Sequence, residues 1–265
     1  MELVAEVGTA TERSVAYVGG LAQLFWASLR LLFLSPLKRT RLLERAVHQA
    51  MAAGVSALPI TSLITFFVGV IIALQGAYQL QHLGAAQLDA SLVSISITRE
   101  LGPLITAIVV IGRSGSAFAA EIGTMRVTEE LDALKTMALD PVAFLVAPKF
   151  LSMAVMLPAL AIWADFMGIL GGCAFGVASR TFTLGSYVIA TRDALVAHDI
   201  TTGIVKALVF GLVITAVGCQ EGFSTGAGAE AVGKSTTSAV VISIFLVIII
   251  DLVFTILFYL ARGVA

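Results

Sequence analysis

The sequence predicts an all-α polytopic membrane protein, from its composition and from the lengths of its apolar runs. Hydrophobic residues make up 58% of the 265 residues and charged residues 12%. In a typical soluble domain, about 45–50% of the residues are hydrophobic and about 25% are charged. Such a chain cannot cover its surface in water, so we expect a membrane to be its solvent. Five apolar runs are long enough to cross a bilayer as helices, which needs about 20 residues each.

The five predicted spans belong to a single domain that covers residues 1–265. Residues 54–260 form the predicted bundle, and residues 1–50 form a cytoplasmic or interfacial N-terminal segment. The chain from Pro141 to the third span is expected to lie along the membrane surface, because that apolar run exceeds one bilayer crossing. The predicted spans are residues 57–74, 92–111, 152–176, 201–217 (continuing to Glu221) and 239–260.

Residues 15–34 are apolar but are interrupted by Gly19, Gly20 and Arg30. We interpret this stretch as an interfacial helix that lies among the head groups, because basic residues follow it and attract anionic lipid. A sixth spanning helix is the alternative, and it would move the N-terminus to the outer side. The basic residues that follow are Lys38, Arg39, Arg41 and Arg45.

The distribution of Lys and Arg sets the predicted orientation, because cytoplasmic loops carry an excess of these residues. Five spans place the two termini on opposite sides, and a cytoplasmic N-terminus puts most basic residues on the inner side. The outer loops then hold Arg180, Arg192 and Arg262. We therefore predict a cytoplasmic N-terminus, an external C-terminus and external residues 179–200.

Residues 119–140, AAEIGTMRVTEELDALKTMALD, carry the densest group of charges in the second half of the chain. On a helical wheel, Val127, Leu131 and Leu134 lie on one apolar stripe with two alanines. The stripe predicts a single amphipathic helix on the cytoplasmic side. This helix is either a solvated connector, the commoner case for a run of charges, or a docking helix that takes force from a soluble partner.

The charges of this segment also fit a helix. Arg126 and Glu130 are four residues apart, and Asp132 and Lys135 are three apart. At both spacings, side chains of opposite charge meet on a helix surface. We therefore predict two ion pairs along one continuous helix.

One motif resembles a nucleotide site but lacks the surroundings of one. Residues 228–235, GAEAVGKS, match the P-loop pattern GxxxxGK[ST], and residues 247–251, VIIID, resemble the strand that should accompany it. A P-loop needs a strand before it and a helix after it within a parallel sheet, whereas here membrane spans lie on both sides. We expect a short cytoplasmic turn that opens the last helix, with ATP bound by another subunit.

The cysteines and histidines indicate no metal site. Cys173 and Cys219 lie in apolar segments without a nearby second ligand, which is typical of buried small side chains. The three histidines are far apart in sequence, and the net charge of −1 argues against a nucleic-acid partner. The sequence also offers no paired nucleophile and base, so an enzyme is disfavoured.

Two long stretches resemble one known family. Residues 96–141, SITRELGPLITAIVVIGRSGSAFAAEIGTMRVTEELDALKTMALDP, resemble the signature region of the MlaE permeases. Residues 228–254, GAEAVGKSTTSAVVISIFLVIIIDLVF, resemble the closing segment of the same family. These proteins are the membrane subunits of ABC transporters that work with MCE-domain proteins. The resemblance covers residues 45–260, nearly the whole chain.

The resemblance implies a transport complex and its other subunits. It implies a homodimeric permease in the inner membrane of a diderm bacterium, which moves phospholipid between the inner and outer membranes. A cytoplasmic ATPase dimer would bind ATP and Mg, so this chain would hold no cofactor. A periplasmic MCE-domain hexamer and an optional small STAS-type protein complete the assembly. Residues 119–140 would be the coupling helix, with the ATPase contacts at Glu121, Arg126, Val127, Glu130, Leu131, Leu134 and Asp140.

Charged residues inside the predicted spans are the candidate substrate site, because an ionisable group in hydrocarbon usually faces a cavity or a partner. We place Arg99, Glu100 and Lys206 first, followed by Asp251 and then Asp165. They would line a cavity for a lipid head group, or they would each bind a different neighbour within the bundle. Arg99 and Glu100 are adjacent, so they point about 100° apart and cannot form one pair.

Other readings of the chain stay open at this stage. The intramembrane charges would also suit a secondary transporter driven by an ion gradient, although no internal repeat supports it. An importer of another lipid or of a sterol within the same permease family is a further alternative. Gly168, Gly172 and Gly176 form a small-xxx-small repeat, which predicts close helix packing, either within the chain or at the dimer seam.

Overall fold

A computed structural model describes residues 17, 19–27, 30 and 39–262, and every regular element in this part of the chain is helical. This confirms the predicted all-α class. Short π-helical turns at Ile97–Leu101, Ile111–Gly115 and Val142–Val146 join some of the helices. The helices are α1 (Arg39–Ala53), α2 (Leu58–His82), α3 (Asp89–Ser96), α4 (Gly102–Val110), α5 (Ser116–Val127), α6 (Glu130–Thr136), α7 (Ala147–Ala178), α8 (Leu184–Ala194), α9 (Ala197–Phe223) and α10 (Ala229–Arg262).

Five helical stretches within the described residues are long and apolar enough to cross a membrane, as predicted. Each is longer than the apolar run that predicted it, because the helices continue beyond the residues that a bilayer needs. The five stretches are Leu43–His82, Ala86–Val127, Val142–Ala178, Ala197–Phe223 and Ala229–Ala261.

The N-terminal stretch is helical over residues 19–27 and lies beside the bundle. The rings of Phe25 and Phe150 are 6.1 Å apart, and a Cβ at Gly20 would lie 2.6 Å from Nε2 of Gln220. The stretch therefore contacts the start of α7 and the end of α9. Apart from Tyr17 and Arg30, the other residues of the predicted interfacial helix lie outside the described part of the chain. The relation of this stretch to the membrane therefore stays a prediction.

The second span is a single helical path that widens twice. Its first π turn, Ile97–Leu101, immediately precedes Gly102 and Pro103. Proline has no N–H to donate to the carbonyl four residues earlier, which is that of Arg99, and its ring would collide with that carbonyl in a regular α-helix. A wider turn at this point accommodates the proline, and such turns are frequent at functional sites.

Helices α2 and α7 pack closely through glycines. A Cβ on Gly69 would collide with the carbonyl oxygen of Gly168, and one on Gly171 would collide with the carbonyl oxygen of Phe66. Small residues let two helix backbones approach within a membrane, where packing is the main attraction between helices. The predicted packing role of the α7 glycines is confirmed.

The alternative role of these glycines as a dimer seam is wrong. Gly168 faces the side chain of Ile97, and Gly172 faces Val93 and the hydroxyl of Tyr187. Gly176 faces the rings of Phe182 and Tyr187. Since all three glycines are buried by their own chain, the repeat is not available to a second copy.

The main core lies where four helices meet around α9. Phe210 and Ile214 of α9 are fully buried, and they cluster with Ile111, Leu157 and Val247. These side chains come from four different spans. The apolar interior therefore ties the bundle together at the level of its middle.

Two predicted connectors contain more helix than expected. Residues 179–200, predicted as a loop, include α8, whose first turn is closed by Thr183 and Ser186 in reciprocal hydrogen bonds. This capping box satisfies N–H groups that would otherwise lack partners. Residues 222–237 turn only over 224–228, after which α10 begins at Ala229. The P-loop look-alike opens α10, as expected, but it is mostly helical rather than a turn.

The prediction of one continuous helix over residues 119–140 is wrong. Helix α5 ends at Val127, and Glu129 has a φ of 60° before α6 begins at Glu130. A left-handed residue cannot continue a right-handed helix, so α5 and α6 change direction there. Arg126 donates instead to the backbone carbonyl of Phe223, and the predicted pair with Glu130 is replaced.

Candidate functional site

The structure brings three of the four predicted cavity residues into direct contact. Glu100 comes from the first π turn of the second span, Lys206 from α9 and Asp251 from α10. The Nζ atom of Lys206 lies 2.6 Å from Oε2 of Glu100 and 2.9 Å from Oδ1 of Asp251. We call these residues, with Thr255, the Lys206 cluster.

Thr255 completes the Lys206 cluster. Lys206 donates to its hydroxyl over 2.9 Å, and that hydroxyl lies 3.0 Å from Oε1 of Glu100. An ammonium group has three N–H donors, and here Glu100, Asp251 and Thr255 surround it. The side chain of Lys206 is only 1% exposed, so the cluster provides the interactions that water would otherwise supply.

Arg99, the fourth predicted residue, has a different partner. Its Nε and Nη2 atoms lie 2.6 Å and 2.5 Å from Oδ1 of Asp199, whose side chain is 1% exposed. Asp199 also accepts the N–H of Val196 at the start of α9. Adjacent residues Arg99 and Glu100 therefore bind different neighbours, as their predicted angular separation requires.

A cavity of about 150 Å³ opens between these charged groups. The side chain of Arg99 is 30% exposed and that of Glu100 37% exposed, so both reach its space, whereas Lys206 forms its floor. Charged groups and aromatic rings share the lining. The lining residues are Arg99, Glu100, His198, Thr202, Lys206, Thr255, Phe258 and Tyr259.

The cavity lies deep in the bundle. Arg99, Lys206 and Asp251 are each about ten residues from the ends of their helical paths at the side where α2 meets α3 and α10 ends. At 1.5 Å per residue this is about 15 Å along each helix. The charges therefore share one depth, although they come from three spans.

Sequence reasoning missed Asp199, Thr255 and the aromatic lining. Two patterns could have found the first two residues. Asp199 is seven residues before Lys206, and Thr255 is four after Asp251, so each lies on the same helix face as a charged residue already singled out. His198, Phe258 and Tyr259 carried no comparable signal.

Asp165, the lowest-ranked candidate, lies apart from the Lys206 cluster. It belongs to α7 and packs against the backbone just after the first π turn, where a Cβ on Gly102 would collide with its Oδ1 atom. Its Oδ1 atom has no hydrogen-bond partner among the described residues, so the expectation that Asp165 binds a neighbour within the bundle is not borne out.

In residues 119–140 most charged side chains are exposed, whereas Leu131 is buried and Leu134 is half-buried. Leu131 is 6% exposed and clusters with Ile122, Leu145 and Phe150, and Leu134 packs against the same group. The expectation that Leu131 faces a partner is therefore wrong, because the turn at Glu129 rotates α6 onto its own bundle. The exposed or half-exposed members of the predicted set are Glu121, Arg126, Val127, Glu130, Leu134 and Asp140.

The predicted pair between Asp132 and Lys135 is confirmed. Nζ of Lys135 lies 2.8 Å from Oδ1 of Asp132, with both side chains largely exposed. The hydrogen bond from Lys135, together with its charge, lowers the pKa of the Asp132 carboxyl from the ordinary value of 3.8. The surface of α6 is therefore charged at neutral pH.

Five long apolar helical stretches, three of which line a charged cavity, define a multi-pass membrane protein. A family model described as Permease MlaE matches residues 46–257, close to the 45–260 of the predicted resemblance. The chain belongs to the MlaE permease family.

Named relatives agree with this assignment. A probable ABC transporter permease protein of Rickettsia conorii is 37% identical over 253 residues, covering 96% of each chain. The intermembrane phospholipid transport system permease protein MlaE of Haemophilus influenzae is 34% identical over 210 residues, 79% of this chain and 80% of the relative. The chloroplastic protein TRIGALACTOSYLDIACYLGLYCEROL 1 of Arabidopsis thaliana is 33% identical over 229 residues, 84% of this chain and 65% of the relative.

Proposed function

We propose that this permease moves phospholipid between the inner and outer membranes as the membrane subunit of an ABC transporter. The observation that carries the proposal is the charged cavity inside the bundle, between helices otherwise built from apolar side chains. The Haemophilus relative, whose name specifies intermembrane phospholipid transport, supports the choice of substrate.

The chemistry of a lipid head group fits the cavity. A phosphate in hydrocarbon is prohibitively costly unless charged or polar groups replace its water. Arg99 is the cation best placed to do so, because its guanidinium has five donors and is 30% exposed. Lys206 supports the site indirectly, since its partners Glu100 and Asp251 hold it within the bundle.

We place ATP hydrolysis in a separate subunit that binds the cytoplasmic end. The exposed charges around α5 and α6 would contact it, while the buried Leu131 and the half-buried Leu134 transmit movement to the bundle through their packing. ATP and Mg would be bound by that ATPase dimer. The look-alike motif offers no support for nucleotide here, since most of it lies in the first turns of α10.

The remaining partners follow from the orientation set by Lys and Arg. With the N-terminus in the cytoplasm and the C-terminus in the periplasm, the cavity opens toward the side where an MCE-domain hexamer would sit. A second copy would pack against the exposed apolar face of α10, which includes Phe245, Ile248 and Leu252. An optional STAS-type protein would act from the cytoplasm.

Lipid occupancy of the assembled complex tests the proposal. We expect Arg99→Gln to lower bound phospholipid per complex while assembly in detergent is retained, and the exposed Arg192→Gln to change neither. Lys206→Ala should lower both. Lipid that follows only the amount of folded complex, whichever residue is changed, would make the charges structural and refute the cavity assignment.

Labelling with an impermeant thiol reagent tests the orientation separately. A cysteine introduced by Glu130→Cys should be protected in intact spheroplasts, and one introduced by Ala265→Cys should react. The opposite labelling pattern would contradict the predicted orientation of the permease.

A different lipid is the second candidate, favoured by the Arabidopsis relative that carries the name of a glycolipid. Mass spectrometry of lipid extracted from the purified complex separates the two. A transporter driven by an ion gradient would move lipid without ATP, so loss of transport on ATP removal from sealed vesicles distinguishes it.

A further inference from the structure

A second polar cavity lies toward the other end of the bundle from the cavity beside the Lys206 cluster. It has a volume of about 300 Å³ and lies between α1, α5 and the start of α7. Small-molecule sites span about 300–1,000 Å³, so this cavity suits a head group rather than a whole lipid. Its lining residues are Arg45, His48, Gln49, Glu121, Phe144, Leu145, Pro148 and Lys149. We call it the α1–α7 cavity.

Arg45 is held at the mouth of the α1–α7 cavity by an aromatic ring. Its Cζ atom lies 3.8 Å from the centroid of the Phe144 ring, while the residue as a whole is exposed. A guanidinium that stacks by its face keeps its N–H donors in the plane, where they match phosphate oxygens. Stacking therefore orients Arg45 without occupying its donors.

Lys149 contributes a buried cation to the same cavity. Its side chain is 1% exposed, and its Nζ atom lies 2.7 Å from Oε2 of Glu121 and 4.9 Å from the Phe118 ring centroid. Glu121 is 44% exposed, so solvent shares that carboxylate. Two cations thus face one carboxylate, and the cavity carries a net positive charge with His48 neutral.

The surroundings place the α1–α7 cavity at the level of the lipid head groups. The N-terminal helical stretch contacts Phe150, next to Lys149, and carries Trp26, which is 55% exposed. Arg30 lies over the Trp26 ring at 5.5 Å. Exposed Trp and basic residues concentrate at the membrane–water interface, and basic pockets between helices at the cytoplasmic side bind anionic head groups.

We infer that the α1–α7 cavity binds the phosphate of an anionic phospholipid in the leaflet beside α6. The lipid would bridge Arg45 and Lys149 and so tie α1 to α7, next to the segment that we assign to ATPase contact. This site is distinct from the cavity beside the Lys206 cluster, and its assignment to the cytoplasmic leaflet rests on the proposed orientation.

Native mass spectrometry of the full-length permease in detergent measures the binding. Phosphatidylglycerol and phosphatidylcholine with the same acyl chains are titrated against the wild-type chain and its variants. We expect Arg45→Gln to weaken phosphatidylglycerol binding about fivefold, the equivalent of about 1 kcal/mol per basic residue. Glu121→Gln should strengthen it, because it removes the competing carboxylate. The exposed Arg192→Gln, on α8, is the matched control.

The same titrations in an Arg99→Gln background separate the two cavities. If the losses of lipid affinity caused by Arg45→Gln and Arg99→Gln multiply in the double variant, the two sites are independent. If Arg45→Gln weakens lipid binding but Arg99→Gln does not, this inference stands while the proposed function fails. Equal retention of the two lipids, or equal affinity in wild type and Arg45→Gln, would overturn the inference. So would competition by inorganic phosphate as strong as by the lipid, because the site would then serve a soluble anion. Thermal unfolding of each variant confirms that it is folded.

Discussion

Two buried lysines at different depths use the same charge in different ways. Lys206 and Lys149 both have side chains that are 1% exposed. Lys206 has two carboxylates and a hydroxyl around it, from the second span and α10. Lys149 has one half-exposed carboxylate and the face of a ring.

The difference lies in the partners and not in exposure, because the two lysine side chains are equally buried. Lys206 lies inside the bundle, where the chain must provide every partner of a buried ammonium group. Near the surface, water and lipid head groups share that task, and fewer protein partners suffice. The first lysine therefore joins helices permanently, whereas the second keeps capacity for a ligand.

The largest effect is expected from Lys206→Met. Removing one partner of a buried ion pair leaves the other charges without compensation, at about 3–5 kcal/mol. We expect a loss of that order in unfolding free energy, measured by titration with SDS. The double variant Lys206→Met with Glu100→Gln should recover part of it, since one stranded charge is then removed. A stable single variant that has lost lipid would instead assign Lys206 to direct head-group binding.

Leu131→Ala is expected to have the next largest effect. Truncating a buried leucine costs about 2–5 kcal/mol, and the lower end applies because Leu131 is near the surface at 6% exposure. The melting temperature of the permease alone should fall. Met137→Ala is the matched control, as Met137 is 68% exposed. If the melting temperature were unchanged and ATPase binding were lost, Leu131 would contact the ATPase rather than its own bundle.

Lys149→Met should cost less than Lys206→Met. It removes a charge-assisted hydrogen bond and a ring contact, together about 2 kcal/mol at the lower end of both ranges, while water can hydrate the remaining Glu121. SDS titration in parallel with Lys206→Met gives the comparison directly. Equal losses for the two lysines would contradict the role assigned to water at the surface.

The smallest effect is expected at Asp132. Its pKa is lowered in the folded chain by Lys135, so the pair stabilises the fold above the ordinary pKa of 3.8 and the contribution is lost as pH falls through the lowered value. Both side chains are exposed, and such pairs contribute little. Asp132→Asn should leave the melting temperature unchanged at pH 7. A clear drop there would mean that α6 depends on its surface charges.

The sequence by itself determined the membrane class, the five spans and the set of charges worth examining. These follow from local properties: an apolar run of bilayer length can form only a helix in lipid, because its backbone groups must pair within the segment. The charges were conspicuous because ionisable residues are rare in such runs. The long signature around residues 96–141 also identified the family.

Only the tertiary structure decided which charges meet and which way α6 faces. The pairing of Arg99 with Asp199 and of Lys206 with Glu100 depends on how two spans rotate about their axes, and helical periodicity within one span carries no information about its neighbours. The break at Glu129 is a single left-handed residue, and it turns Leu131 from a surface stripe into the core. Rotations and single-residue turns are set by packing between distant segments, which sequence periodicity does not record.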